Sequence, residues 1–171
     1  MNARAGVVTS QVVWLASLPL TAHAPTLEGS IKGAAAGFVA AALSSFLPDL
    51  DHPKSTVGRY VPGWVRWLMG GHRMGSHSLA SVAVAWWLTG YLLDNPIVAN
   101  AVAVGWLSHI LLDMLTIQGV GLLYPFTRLR FRLASMVTGS RGEDVFVMIM
   151  KGVGGVFLVG YGFLLVQSLG V

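Results

Sequence analysis

The segment SSFLPDLDHPKS, residues 44–55, sets Asp49, Asp51 and His52 within four positions, just where an apolar run ends. Carboxylate oxygens and imidazole nitrogens are ligands for Zn²⁺, Mn²⁺ or Fe²⁺, and the chain has no cysteine to offer in their place. Further along, GHRMGSHS carries His72 and His77, and SHILLD carries His109 and Asp113. The last two are four residues apart, so a helix puts them on one face, within reach of a single ion. The candidate ligands are therefore Asp49, Asp51, His72, His77, His109 and Asp113, with His52 in reserve. Such a set suits one divalent ion, with Zn²⁺ first and Mn²⁺ or Fe²⁺ as alternatives, or two ions sharing a carboxylate. Asp51 is the candidate bridge.

Each piece also has a structural reading. Asp49 and Asp51 fit a helix end or an Asx turn before HPKS. His72 and His77 fit residues flanking a glycine turn at a membrane interface, and Arg73 between them fits a headgroup anchor. His109 and Asp113 can pair as a bridge, although ionisable groups inside an apolar helix are costly and point to function. Convergence of all of them at one depth distinguishes a site from a scatter of local roles.

That convergence depends on the elements that carry them. Of the 171 residues, 54% are hydrophobic and 11% charged, far below the roughly one quarter charged of a soluble domain. The composition is that of an integral membrane protein, in one domain spanning residues 1–171. Five apolar segments, 7–20, 31–47, 79–93, 97–117 and 145–169, predict an all-α bundle of about five transmembrane helices. The second is rich in small residues and reads as an inner helix. The third and fourth, joined by DNPI, form an antiparallel hairpin. The first resembles a secretory signal ending at residue 24, but cleavage would leave Pro25 at the new N-terminus, so a retained helix is expected.

With the N-terminus inside, ten of the eleven Lys and Arg residues fall on the cytoplasmic side and only Lys32 on the other. The net charge of +4 therefore reports membrane orientation and not nucleic acid. The same topology brings PDLDH, GHRMGSHS and the end of SHILLD to the cytoplasmic face, a metal site facing the cytoplasm.

In this order, LPDLDHPKS, HRMGSHS, GWLSHILLDMLT followed by GVGLLYPF, and the basic RLRFRL resemble the YdjM-like membrane-bound metal-dependent hydrolases of bacteria and archaea, over residues 44–133. The resemblance implies an inner-membrane protein with a hydrolase-type metal centre, remotely similar to zinc-dependent phospholipase C enzymes. It supplies no substrate. Two departures stand out. Members of that family usually carry a His near the N-terminus, at about the place of Gly6, and their middle motif usually reads His-Arg-Gly-x-Thr-His-Ser where this chain has His72-Arg73-Met74-Gly75-Ser76-His77-Ser78. His23 falls on the opposite face in this topology and does not replace the missing His.

A bound metal lowers the pKa of water to about 7 and stabilises the attacking and leaving oxygens of a phosphoester. Arg73 is then placed to steady an anionic phosphate and Asp49 to act at the reacting centre, while Ser76 and Ser78 either orient ligands or cap the next helix. In VGRYVPGWVRWLMGG, Tyr60, Trp64 and Trp67 mix with Arg59 and Arg66, as in a segment lying among headgroups or in a plain aromatic belt. Arg128, Arg130 and Arg132 alternate, as in a short extended stretch with one basic face. The expected function is metal-dependent hydrolysis of a phosphoester on a lipid or lipid-linked molecule, with membrane lipids as partners. The alternatives are a metal-binding transport or sensing protein, for which the outer halves of the helices lack polar residues, and an inactive structural relative.

Overall fold

In hydrocarbon a backbone satisfies its N–H and C=O groups internally, and the apolar segments accordingly become helices. The computed structural model describes residues 3–21, 27–55 and 57–168. Among them the chain forms α1 (Ala3–Thr21), α2 (Leu27–Ser44), α3 (Gly63–Leu68), α4 (Leu79–Leu93), α5 (Pro96–Met114) and α6 (Arg141–Ser168), with short 3-10 turns at Leu47–Asp51, Gly58–Tyr60 and Gly75–His77. The described residues contain no strand, so the all-α expectation stands. Three stretches, Ile31–Asp51, Pro96–Met114 and Arg141–Leu164, are long and apolar enough to cross a membrane. The apolar α4 is shorter, about 22 Å at a rise of ~1.5 Å per residue. His23 and the bond preceding Pro25 lie outside the described residues.

Local chemistry fixes the α4–α5 hairpin. Asp94 ends α4 in the left-handed region at φ 45°, and the Asn95 side chain accepts from the N–H groups of Ile97 and Val98, each at 3.1 Å. Pro96 follows at a first-turn position where its missing N–H costs nothing.

Small residues decide how closely the helices approach. Gly105 of α5 lies against Ala41 and Ser44 of α2, where an added Cβ would collide with the Ala41 carbonyl and the Ser44 hydroxyl. Gly37 of α2 likewise receives the indole of Trp14 of α1, a fully buried ring whose Nε1 donates to Ala34 O at 3.1 Å. At the other end of this pair, Gly6 of α1 lies beside Ser45 and His109, so α1 begins where α2 and α5 finish. Helix α6 lies on the outer side of α1, where the Tyr161 hydroxyl donates to Leu15 O at 2.9 Å. Its other faces are largely exposed.

The Gly105 contact yields a prediction. Gly105→Ala forces α5 away from α2 and lowers stability by about 1–3 kcal/mol, the usual range for overpacking. Thermal unfolding in detergent measures this, with Gly90→Ala as the control because its added Cβ would meet Ala99 at an ordinary 3.6 Å. An unchanged Gly105→Ala midpoint would show that the helices are not so closely apposed.

Between α5 and α6 the chain is extended in part: Val120 and Phe131 exchange backbone hydrogen bonds of 3.0 and 2.8 Å. Arg128, Arg130 and Arg132 are exposed there, and Arg132 donates to Ile117 O at 3.3 Å.

Candidate metal centre

Three parts of the chain meet at one end of the bundle. The Leu47–Asp51 turn that follows α2 carries Asp49 and Asp51, the Gly75–His77 turn that precedes α4 carries His77, and the last turns of α5 carry His109 and Asp113. One nitrogen from each of His77 and His109 and one carboxylate oxygen of Asp49 lie within 4.8 Å of one another.

Hydrogen bonding sets which imidazole nitrogen faces that point. His109 Nδ1 lies 2.7 Å from the Ser45 carbonyl, which only accepts, so Nδ1 carries the proton and neutral His109 presents a lone pair at Nε2. His77 reaches the same state by a relay. The Ser76 hydroxyl has one hydrogen and gives it to Asp51 Oδ2 at 2.5 Å, so at 2.9 Å Ser76 Oγ accepts from His77 Nδ1. The His77 lone pair is then also at Nε2. Both Nε2 atoms are buried and make no hydrogen bond, a costly arrangement for polar atoms unless another group takes the lone pairs. Two convergent imidazole lone pairs beside a carboxylate fit a divalent ion.

Around this trio, Asp113 Oδ2 lies 3.2 Å from His77 Nε2 and 3.6 Å from His109 Nε2, and Asp49 Oδ1 lies 3.5 Å from His109 Nε2. Asp51 faces the other side of His77. Its oxygens receive His72 Nδ1 at 2.8 Å, the Arg73 N–H at 3.0 Å and the Ser76 hydroxyl, and it stands 3.6 Å from His77 Nδ1. Asp51 therefore sits between His72 and His77, where it orients the buried histidine.

His72 lies outside the trio, its side chain one third exposed and its ring centroid 4.5 Å from that of His52. Partial burial, and then the neighbouring His72, push the His52 pKa below the ordinary imidazole value.

Arg73 turns inward. Its backbone is left-handed at φ 63°, and the buried guanidinium donates to Thr116 Oγ1 at 2.6 Å and to Asp113 Oδ1 at 3.1 Å. Thr116, absent from the sequence-based set, is therefore part of the site's support; the DMLT that closes the α5 motif was its only signal. The two serines divide the roles open to them. Ser76 bridges Asp51 and His77, whereas Ser78 caps α4 by accepting from Ser81 N at 3.2 Å. At Gly6 a Cβ would lie 3.7 Å from His109 Nδ1, so the place at which the resemblance implies a His adjoins the cluster.

No curated protein and no solved structure matches the chain, and a likeness to phospholipase C is not shown. A match to a family of inner membrane proteins runs over residues 3–168, nearly the whole chain and all of the metal cluster. This chain belongs to the YdjM inner membrane protein family.

Proposed function

We propose that this protein is a metal-dependent hydrolase of the inner membrane, crossing it five times through α1, α2, α4, α5 and α6, with its site on the cytoplasmic side and a phosphoester of a lipid or lipid-linked molecule as substrate. The observation that carries the reading is the convergence of the buried Nε2 atoms of His77 and His109, neither of them in a hydrogen bond, with the Asp49 carboxylate. Nε2 of each histidine stands 3.2–3.6 Å from carboxylate oxygens of Asp113 or Asp49, so donors and acceptors of ligand type surround one point.

Asp49, His77 and His109 would hold the ion, with Asp113 beside them; Asp51 and His72, hydrogen-bonded to each other, would be the candidates for a second. When bound, a divalent ion supplies Lewis acidity that acidifies water and polarises a phosphoryl oxygen. Asp49, whose side chain is 27% exposed, is the carboxylate on the open side, placed to accept a proton from incoming water. Arg73 acts as a positioning residue that holds Asp113, in place of the phosphate clamp its position between two histidines implied. Asp51, His77, His109 and Asp113 are buried, which strengthens their electrostatic effect on the reacting atoms.

Two measurements test this. A reporter fused after Lys54 must read as cytoplasmic; a periplasmic readout reverses the orientation. Release of phosphate or of a phosphorylated headgroup from lipid phosphoesters, assayed with Zn²⁺ or Mn²⁺, must fall to background in Asp49→Asn. Equal turnover in Asp49→Asn would remove Asp49 from the chemistry.

A further inference from the structure

An open cavity of about 560 Å³ runs along the flank of the bundle from the metal cluster towards the α4–α5 hairpin. Its α4 wall is formed by Ala80, Ser81, Val84, Ala85, Leu88 and Thr89, a spacing of four and one that lays a single stripe along the helix. Val102 and Trp106, one turn apart on α5, form the opposite wall, and the lining is mainly apolar. At the near end the groove and the cluster share their turns. Leu47 lines the groove two residues before Asp49, and Ser76 lines it while donating to Asp51. Trp106 is fixed there by its Nε1 donating to Ser76 O at 2.8 Å.

We propose that this groove holds one hydrocarbon chain of a bilayer lipid whose headgroup lies at the Leu47–Ser76 end, beside the metal cluster. The proposal rests on the hydrolase reading for what happens to the headgroup, but not for the binding itself.

Dimensions select the occupant. From Ala80 to Thr89 the groove extends about 14 Å at ~1.5 Å rise per residue. One leaflet of a hydrocarbon core about 30 Å thick is close to that depth. A lipid tail lying along this apolar stripe would run from the membrane face to about the bilayer midplane. The volume also falls within the ~300–1,000 Å³ of ordinary ligand sites. The near end lies where α4 begins and next to the turns that carry the cluster, which places a headgroup at that end and the tail along Val84, Ala85 and Leu88.

The test uses the full-length protein in vesicles of phosphatidylethanolamine containing phosphatidylglycerol with a photoreactive diazirine midway along one acyl chain. After irradiation, labelled residues are mapped by peptide mass spectrometry, and metal content is measured on the same samples. Labelling at Val84, Ala85 and Val102 should exceed that at the outward-facing Leu92 and Val156 by about tenfold, equivalent to a preference of ~1.4 kcal/mol. Val84→Trp, at a wall position that is 60% exposed and tolerant of bulk, should cut groove labelling severalfold with metal content unchanged. Ala85→Phe, which narrows the same place from within, should do likewise. Even labelling across all lipid-facing positions, or groove labelling undiminished in both variants, would overturn the proposal. Preferential groove labelling in a protein that neither binds metal nor turns over phosphoesters would leave the chain site standing and remove the hydrolase reading.

Discussion

Arg73→Met is expected to lower the unfolding free energy by about 3–5 kcal/mol, the usual cost of removing one partner of a buried ion pair. Arg73 is 7% exposed, and its two donors serve Thr116 and Asp113, whose carboxylate is nearly inaccessible. The substitution keeps most of the aliphatic volume but removes a cationic side chain that donates to the buried Asp113 carboxylate beside the two histidines. A bound ion offsets part of this charge, so the loss should be larger after chelation than with metal present. Thermal and denaturant unfolding in detergent, in both conditions, measure it. The double variant Arg73→Met, Asp113→Asn should recover much of the loss, since the buried carboxylate charge is gone. An Arg73→Met protein within about 0.5 kcal/mol of wild type, the usual reach of a neutral surface substitution, would contradict the buried pair.

His77→Ala is expected to weaken Zn²⁺ binding by more than the ~10–100-fold typical of a residue that only orients a ligand. Ser76→Ala should fall within that range, because it breaks the relay that leaves the His77 proton on Nδ1 without removing the donor itself. His109→Ala should match His77→Ala. Competition with a metal-sensitive dye, on variants whose far-ultraviolet circular dichroism is unchanged, gives the three affinities. If Ser76→Ala weakens binding as much as His77→Ala, the assignment of ligand and support is wrong; if neither changes it, the ion binds elsewhere.

Much of this architecture was legible because hydropathy and turn chemistry are local. The five apolar segments fall on α1, α2, α4, α5 and α6, and Asn95 with Pro96 marked the hairpin correctly. The meeting of PDLDH, GHRMGSHS and SHILLD followed from alternating the helix directions. The division of labour within the cluster could not be read in advance. Asp51 and Asp113 look equivalent as sequence, yet one faces Nδ1 of His77 and the other Nε2, a difference set by ring orientation across three segments. The place of Arg73 was illegible for a similar reason. Its neighbours are candidate ligands, but a left-handed backbone at one residue sends its guanidinium into the protein towards Thr116, 43 residues away. The short helix α3 within the Trp-rich loop, in which Trp64 and Trp67 stand exposed, also escaped a hydropathy reading because it is too short to carry a periodic signal.

The hydrolase reading stands or falls with whether Asp49, His77 and His109 hold a metal. Elemental mass spectrometry of protein purified in detergent without added metal, for wild type beside His109→Ala and Asp51→Ala, tests that most directly. The account predicts stoichiometric divalent metal in wild type, its loss in His109→Ala, and a reduced content in Asp51→Ala through misplacement of His77. No bound metal in wild type, even after reconstitution with Zn²⁺ and Mn²⁺, would contradict it and leave the cluster a structural network of histidines and carboxylates.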